Sequence, residues 1–258
     1  MADFIQIDIQ NRVASIIINR PEKRNALNPQ LISELIAAFK NAEADSAIKV
    51  IVLKSSADTF CAGADLSYLK QLQSNTYHQN LEDSKYLRFL FSTIYNLEKP
   101  VIAQVEGNAI AGGCGLVSVC DIAFAVPEAL LGYTEVKIGF VPAIVAAFLI
   151  KKVGEGRGRE MLLSGELISA LAARQYGLVN FIEDKNNINE AVNAYAIKMA
   201  QNTSSQSIKA TKTLLAKIQS MGIHESLNHA SKINAQSRLT EDFKKGIDAF
   251  LNKISPKW

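Results

Sequence analysis

Four glycines lie within the stretch VEGNAIAGGCGLVSVCD, which runs from Val105 to Asp121. A short apolar run, KPVIAQV, leads into it and predicts a buried strand, and a helix start is predicted within the stretch. Backbone N–H groups at a helix start lack intrahelical acceptors. Since glycine permits the close approach of another group to the main chain, the chain must fold so that something comes near this backbone.

A second passage has the same layout. KVIVLKSSADTFCAGADL also runs from a predicted buried strand, through a loop of small residues, to a helix start. Two helix starts that face each other would present two peptide N–H groups to one oxygen atom. Fixed donors of this kind form an oxyanion hole, which stabilises negative charge that develops during a reaction.

Apolar periodicity predicts the order of the other elements. IQIDIQ alternates and RVASIIINR follows after a short polar turn, which predicts a hairpin, and Asn28-Pro29 predicts the start of a helix. The buried face of that helix is predicted to carry Leu31, Leu35, Ile36 and Phe39. Further strands are predicted at KVIVLKS, KPVIAQV, DIAFAV and ALLGY, and an amphipathic helix over 86–97.

From Ala143 onward the pattern is almost wholly helical. Strands and helices therefore interleave first, and helices alone follow. This order indicates an α/β core with a helical C-terminal section. We divide one continuous unit into a core over 1–195 and a helical section over 196–258.

Composition excludes several classes of function. The chain has 258 residues, with 28 Lys and Arg against 25 Asp and Glu, and this near balance does not indicate a nucleic-acid partner. No apolar run reaches about 18 residues, and the N-terminal segment lacks the pattern of a signal peptide, so we expect a cytoplasmic protein without a membrane partner. Three cysteines without a CxxC spacing are expected in the core, with no metal site.

Two other glycine motifs are weak. Gly107 to Gly112 has the spacing of a phosphate-binding loop, but Gly113 and Cys114 stand where Lys and Ser or Thr should be. GEGRGR follows a helix-like segment rather than a strand, so we interpret it as a helix end, a turn and a solvated basic face.

Four motifs in order carry a family resemblance that covers nearly the whole chain: NRPEKRNALN, TFCAGADL, GNAIAGGCGL with CDIAFA, and GYTEVKIGFVP. Together they resemble the enoyl-CoA hydratase/isomerase (crotonase) superfamily, including methylglutaconyl-CoA hydratase-like members. The resemblance implies a spiral of β-β-α units, followed by C-terminal helices that build homotrimers, often paired as dimers of trimers. It also implies stabilisation of the enolate of a coenzyme A thioester.

The resemblance implies roles for particular residues. The oxyanion donors are expected to be the backbone N–H groups of Ala62 and Gly112, and Glu135 is expected to be the acid/base residue. Hydratases of the family typically use two glutamates, but Gly115 stands at the first of these positions. VPAIVAAF also departs from the Gly-rich PGAGGTQ run common in hydratases.

Three functions remain open at this point. Hydration of a 2-enoyl-CoA with one glutamate requires that another group, such as a backbone group or Tyr133, hold the water. Isomerisation of a 3-enoyl-CoA to a 2-enoyl-CoA needs only one carboxylate. The third function is a non-catalytic acyl-CoA-binding or RNA-associated scaffold. The surroundings of the motifs favour hydration by a small margin.

The remaining predictions concern binding. Asp65 is expected to cap a helix start, and no cofactor is expected, since coenzyme A belongs to the substrate. The resemblance implies that Lys23 and Arg24 approach the nucleotide end of the ligand and that Leu27, Ala64 and Leu66 pack its adenine and pantetheine. It also implies that Phe250 and Lys253 reach the site of a neighbouring subunit. The full set of predicted binding residues is Lys23, Arg24, Leu27, Ala64, Asp65, Leu66, Gly113, Tyr133, Phe250 and Lys253.

Overall fold

The computed structural model describes residues 4–258. The strands are β1 (Ile5–Gln10), β2 (Val13–Ile18), β3 (Val50–Ser55), β4 (Thr59–Cys61), β5 (Val101–Val105), β6 (Asn108–Ile110), β7 (Ile122–Ala125), β8 (Leu130–Gly132), β9 (Ile168–Ser169) and β10 (Phe181–Ile182). The helices are α1 (Pro29–Ala44), α2 (Leu66–Leu72), α3 (Tyr77–Asn96), α4 (Gly112–Val119), α5 (Ala143–Ser164), α6 (Ala170–Tyr176), α7 (Ile188–Asn202), α8 (Ser205–Ile218), α9 (Ile223–Ser237) and α10 (Glu241–Leu251). Two 3-10 helices span Pro21–Lys23 and Glu135–Ile138.

The strands form two sheets, and from β3 to β8 successive strands alternate between them. The larger sheet has the order β1-β2-β3-β5-β7-β10, and the smaller has the order β4-β6-β8-β9. From β2 to β10 the neighbours of the larger sheet are parallel, as are β4, β6 and β8 in the smaller sheet. Between β3 and β8, each pair of strands therefore adds one strand to each sheet, and a helical segment follows the pair. This confirms the predicted α/β spiral of β-β-α units.

The N-terminal elements form as the sequence predicts. β1 and β2 pair in an antiparallel hairpin, and Asn11 and Arg12 between them take positive φ angles of 51° and 66°. The predicted apolar face of α1 is buried, and Asn28 caps this helix by accepting a hydrogen bond from the Leu31 N–H. All three cysteines are buried, as predicted.

Two helices differ from the prediction. α3 begins at Tyr77, earlier than predicted, because Thr76 and Gln79 form a capping box in which each side chain bonds the other residue's backbone N–H. α5 is interrupted at Gly154, whose φ of 79° and ψ of 166° are not helical. The helix break falls at the first residue of GEGRGR, but the remaining residues of this segment are helical and do not form the predicted turn.

The helical section also differs from the prediction. The short strands β9 and β10 lie in a part of the chain predicted as helical. α7 contacts β2, β3, β5 and β7, so it belongs to the layer that covers the larger sheet. The boundary predicted between residues 195 and 196 falls inside this helix, and the helices beyond the sheet begin with α8.

The helices α8 to α10 carry many large apolar side chains that the described residues leave exposed, including Leu215, Leu227, Phe250 and Leu251. Within residues 4–258, no helix combines the length and the apolar character needed to cross a bilayer.

Candidate active site

The two glycine-bearing passages meet at one edge of the smaller sheet. β4 ends at Cys61 and leads through a short loop into α2, and β6 ends at Ile110 and leads into α4. Because β4 and β6 are parallel neighbours, their carboxyl ends lie side by side. The predicted juxtaposition of the two helix starts is therefore present.

Backbone contact explains the small residues. A Cβ on Gly113 would lie 2.2 Å from the Cys61 carbonyl oxygen, so the start of α4 packs directly on the end of β4. A Cβ on Gly63, whose φ is 88°, would lie 2.9 Å from the Ala111 Cβ and 3.6 Å from the Gly112 nitrogen. Gly113 is thus required for packing, and it is buried rather than open to a ligand.

Ala111 precedes α4 in a strained conformation. Its φ is 52° and its ψ is −121°, a region that residues with a Cβ rarely adopt. Its own N–H donates to the Gly132 carbonyl at 2.8 Å, which fixes this unusual peptide on β8. The N–H of the next residue, Gly112, is left without an acceptor among residues 4–258. Strain at this position was not predicted from the sequence.

The second predicted donor, Ala62, is corrected by the structure. The Ala62 N–H donates to the Arg24 carbonyl at 3.0 Å and is not free to bind a substrate oxygen. Two residues later, the Ala64 N–H has no acceptor among the described residues, and Ala64 is exposed. Ala64 and Gly112 therefore each present a free donor at this edge of the sheet.

Glu135 begins the 3-10 helix Glu135–Ile138, which follows β8. Its side chain is buried, at 8% exposed, and Oε2 has no hydrogen-bond partner among residues 4–258. Burial raises the pKa of this carboxyl above its ordinary value, because the charged form loses contact with water. A carboxyl whose pKa is raised in this way holds a proton more tightly than an ordinary glutamate, which suits an acid/base residue.

Gly115 lies on α4 in a buried position. A Cβ on Gly115 would lie 2.5 Å from Cγ1 of Val145 and 3.1 Å from Cζ of Phe91. The space next to this glycine is therefore filled by apolar side chains. Among residues 4–258, the nearest atoms to this position belong to Val145 and Phe91, and neither residue is a carboxylate that could work with Glu135.

Tyr133 was predicted as a group that could hold water or substrate, and the structure contradicts this. The ring is fully buried, and its hydroxyl lies 2.6 Å from Oγ of Ser118. Desolvation raises the pKa of Tyr133 well above its ordinary value. Because the hydroxyl is enclosed and already paired, Tyr133 is a core residue.

Asp65 caps α2, as predicted, and it does so as part of a buried ion pair. Its Oδ1 accepts from the Ser67 N–H at 2.9 Å, and its Oδ2 lies 2.7 Å from Nη1 of Arg20. Although burial opposes ionisation, the bonds from Ser67 and Arg20 lower the pKa of Asp65 to about 2. Asp65 is therefore a fixed anion that holds the loop bearing Ala64, and sequence analysis missed its partner Arg20.

The structure exposes some of the residues predicted to bind the coenzyme A part of a ligand and buries another. Lys23 and Arg24 are exposed at the 3-10 turn, and Arg24 lines a cleft of about 460 Å³. Leu66 is exposed, whereas Leu27 is buried with its Cδ1 3.0 Å from where a Cβ on Gly112 would be. Leu27 therefore packs beneath the donor loop and is not free to contact an adenine ring.

Phe250 and Lys253 lie at the end of α10. Phe250 is 80% exposed, and Lys253 follows the helix with a φ of 54°. Nothing in the described chain covers the Phe250 ring. Among residues 4–258, no three His, Cys, Asp or Glu side chains converge to hold a metal ion.

Comparisons with known proteins place this geometry in a family context. The family model for enoyl-CoA hydratase/isomerase matches residues 8–258. The 2,3-dehydroadipyl-CoA hydratase of Escherichia coli is 34% identical over 257 residues, which is 99% of this chain and 98% of the relative. The mitochondrial enoyl-CoA hydratase of Pongo abelii is 35% identical over 244 residues, covering 94% and 82% of the two chains. A crystal structure of an enoyl-CoA hydratase from Shewanella pealeana matches with a TM-score of 0.94 at 29% identity, over 99% and 96% of the chains.

Proposed function

The chain belongs to the enoyl-CoA hydratase/isomerase family, and on that premise we propose that it adds water to a 2-enoyl-CoA to give a 3-hydroxyacyl-CoA. The observation that carries the proposal is the buried Glu135 carboxyl with an unpartnered oxygen, at an edge of the fold that also holds two free N–H donors. The relatives named as hydratases support the direction of the reaction.

The donors act on the thioester. The carbonyl oxygen of the substrate accepts hydrogen bonds from the N–H groups of Ala64 and Gly112. When the oxygen of water bonds to C3, the electron pair of the double bond moves through C2 towards the carbonyl, and an enolate forms. The donors stabilise the negative charge on its oxygen, and such a donor typically contributes about 10²–10³ in rate.

Glu135 moves the proton. Its carboxylate takes a proton from the attacking water as the C–O bond forms and then delivers a proton to C2, so that one water molecule has been added across the double bond. The raised pKa suits the first half of this cycle, because it makes the carboxylate a stronger base than an ordinary glutamate. Since Tyr133 is enclosed, the water is held by Glu135 and by backbone groups.

Assembly and ligand binding extend the proposal. The exposed Lys23 and Arg24 are placed to meet the phosphates of coenzyme A. Phe250 and Lys253 would contact the site of a neighbouring copy in a homotrimer, which would also cover the uncovered Phe250 ring.

Isomerisation is a second candidate, and the packing at Gly115 favours it. With Val145 and Phe91 beside this glycine, Glu135 acts without a second carboxylate. Moving a proton from C2 to C4 of a 3-enoyl-CoA through the same enolate requires one such group.

A side-by-side assay tests both candidates. The purified chain is given crotonyl-CoA, 3-methylglutaconyl-CoA, 2,3-dehydroadipyl-CoA and a 3-enoyl-CoA. Loss of the conjugated thioester absorbance measures hydration, and its appearance measures isomerisation. Hydration of one conjugated ester that is abolished in Glu135→Gln is the expected result. Isomerisation without hydration would replace the proposal by the second candidate, and inactivity with all four esters would overturn both.

A further inference from the structure

The site differs from a two-carboxylate site at Gly115 and Val145, which touch. We propose that Val145 keeps the site to a single carboxylate and thereby sets the balance between hydration and isomerisation. The inference rests on the proposed function, since it concerns the same site, but the packing on which it depends can be tested without any activity.

The first observation is the contact itself. Gly115 is buried in α4, and Val145 is buried in the first turn of α5 at 4% exposed. A Cβ on Gly115 would lie 2.5 Å from Cγ1 of Val145, closer than two carbon atoms approach without displacement. Any side chain at position 115 therefore requires that Val145 move.

Phe91 is the next neighbour, and it lies farther from the added Cβ than Val145 does. It lies 3.1 Å from where the Gly115 Cβ would be, is fully buried on α3, and packs against Phe148 with ring centroids 6.4 Å apart. The ring cannot give way without disturbing the contact between α3 and α5. Val145 is thus the neighbour whose size decides whether position 115 can carry a side chain.

The contact connects two features that the sequence showed separately. Gly115 stands where hydratases of the family carry a glutamate, and Val145 lies in VPAIVAAF, which stands where they carry a Gly-rich run. Because the two positions share one volume, the loss of a side chain on α4 and the gain of one on α5 compensate each other.

This exchange has a chemical consequence. The wall beside Gly115 is apolar, and an added carboxylate there would be buried without a partner unless the wall opened. With the wall closed, Glu135 is the only carboxylate that the described residues offer the reaction at this wall. Opening it by removing the Val145 side chain should let a second carboxylate hold water beside the double bond.

A double-mutant cycle tests the proposal. The variants are Gly115→Glu, Val145→Gly and the pair together, with Gly115→Gln in the Val145→Gly background as the uncharged match. Ala147 is an exposed residue of α5, and Ala147→Gly controls for the effect of a glycine in that helix. Melting temperature, hydration of a 2-enoyl-CoA and isomerisation of a 3-enoyl-CoA are measured for each.

We expect Gly115→Glu alone to lower the melting temperature and both activities, and the added Val145→Gly to restore the melting temperature. The restored double variant should raise the ratio of hydration to isomerisation by about tenfold or more, in line with the contribution of one acid/base group. Its kcat/KM profile should gain one ionisation, which the Gln variant lacks.

Two results would overturn the inference. One is that Gly115→Glu lowers the melting temperature by the same amount whether residue 145 is Val or Gly. The other is a restored double variant whose reaction ratio and pH profile match those of the Gln variant. If the wild type processes no ester, the proposed function fails on that finding alone, and the melting cycle still decides whether Val145 excludes a side chain at position 115.

Discussion

Replacing Glu135 with Gln should lower kcat and stabilise the fold, and the stabilisation should depend on pH. The carboxyl is buried, its Oε2 has no partner among residues 4–258, and burial raises its pKa. Below the ordinary pKa of glutamate the group is protonated in both the folded and the unfolded chain. As pH rises through that value and then through the raised pKa, the unfolded chain releases its proton first, and the fold loses stability.

The size of the effect follows from this linkage. Each unit by which folding raises the pKa costs the fold about 1.4 kcal/mol once the group is ionised in both states. A buried polar group left without a hydrogen bond typically costs about 1–3 kcal/mol, so we expect the substitution to stabilise the fold by an amount on the order of 1 kcal/mol. For a chain of this length, that corresponds to a rise in Tm of roughly 2–4 °C in the variant. The same change should lower kcat by about 10²–10⁴, the usual contribution of an acid/base group.

Thermal melts of wild type and Glu135→Gln, at about pH 8 and about pH 4, measure the stability, and a coenzyme A ester titration checks that binding survives. Glu128→Gln, at an exposed position in the preceding turn, is the matched control. The change with pH is the readout, because the Gln amide brings donors of its own to the pocket. A stability difference that is the same at both pH values would refute the unpartnered, buried state of the carboxyl.

Further predictions concern the parts around this group. Gly112→Val should remove most turnover, because the new side chain lies against Leu27 and beside the free N–H. The control Gly156→Ala, where nothing lies within 4 Å of the new Cβ, should keep its turnover. Equal rates in the two variants would count against Gly112 as a donor. Asp65→Asn should destabilise the fold by about 2 kcal/mol at neutral pH. This loss of stability should shrink as pH falls from about 4 towards about 2, where wild-type Asp65 also protonates. Melts of the two proteins that do not converge at low pH would contradict the ion pair with Arg20. Gly154→Ala should lower the free energy of unfolding by about 1–3 kcal/mol, because the backbone conformation at this position suits only glycine. Chemical denaturation measures the change, and an unchanged midpoint would show that the helix does not break at Gly154.

The sequence predicts best what depends on nearest neighbours along the chain. The hairpin β1–β2 and the buried face of α1 follow from local periodicity, and both are present. The early start of α3 could have been predicted as well, since Thr76 and Gln79 have the spacing of a capping box.

What the sequence could not supply depends on partners that are distant in the chain. Ala62 and Ala64 look alike as donors until the Arg24 carbonyl is seen to take the N–H of the first. Tyr133 looks available until Ser118 is found beside its hydroxyl. The contact of Gly115 with Val145 likewise joins two helices that local patterns cannot bring together.

The packing of α4 directly on the end of β4 separates the two halves of the chemistry. The spacing between the N–H donors is set by main-chain atoms, with Gly113 lying against the Cys61 carbonyl, so most side-chain substitutions nearby leave that spacing intact. The proton-transfer half depends on single side chains that project into the same space from other elements. A lineage with this architecture can therefore change the reaction that follows the enolate by exchanging one or two residues, while the electrostatic half passes unaltered from one enzyme to the next.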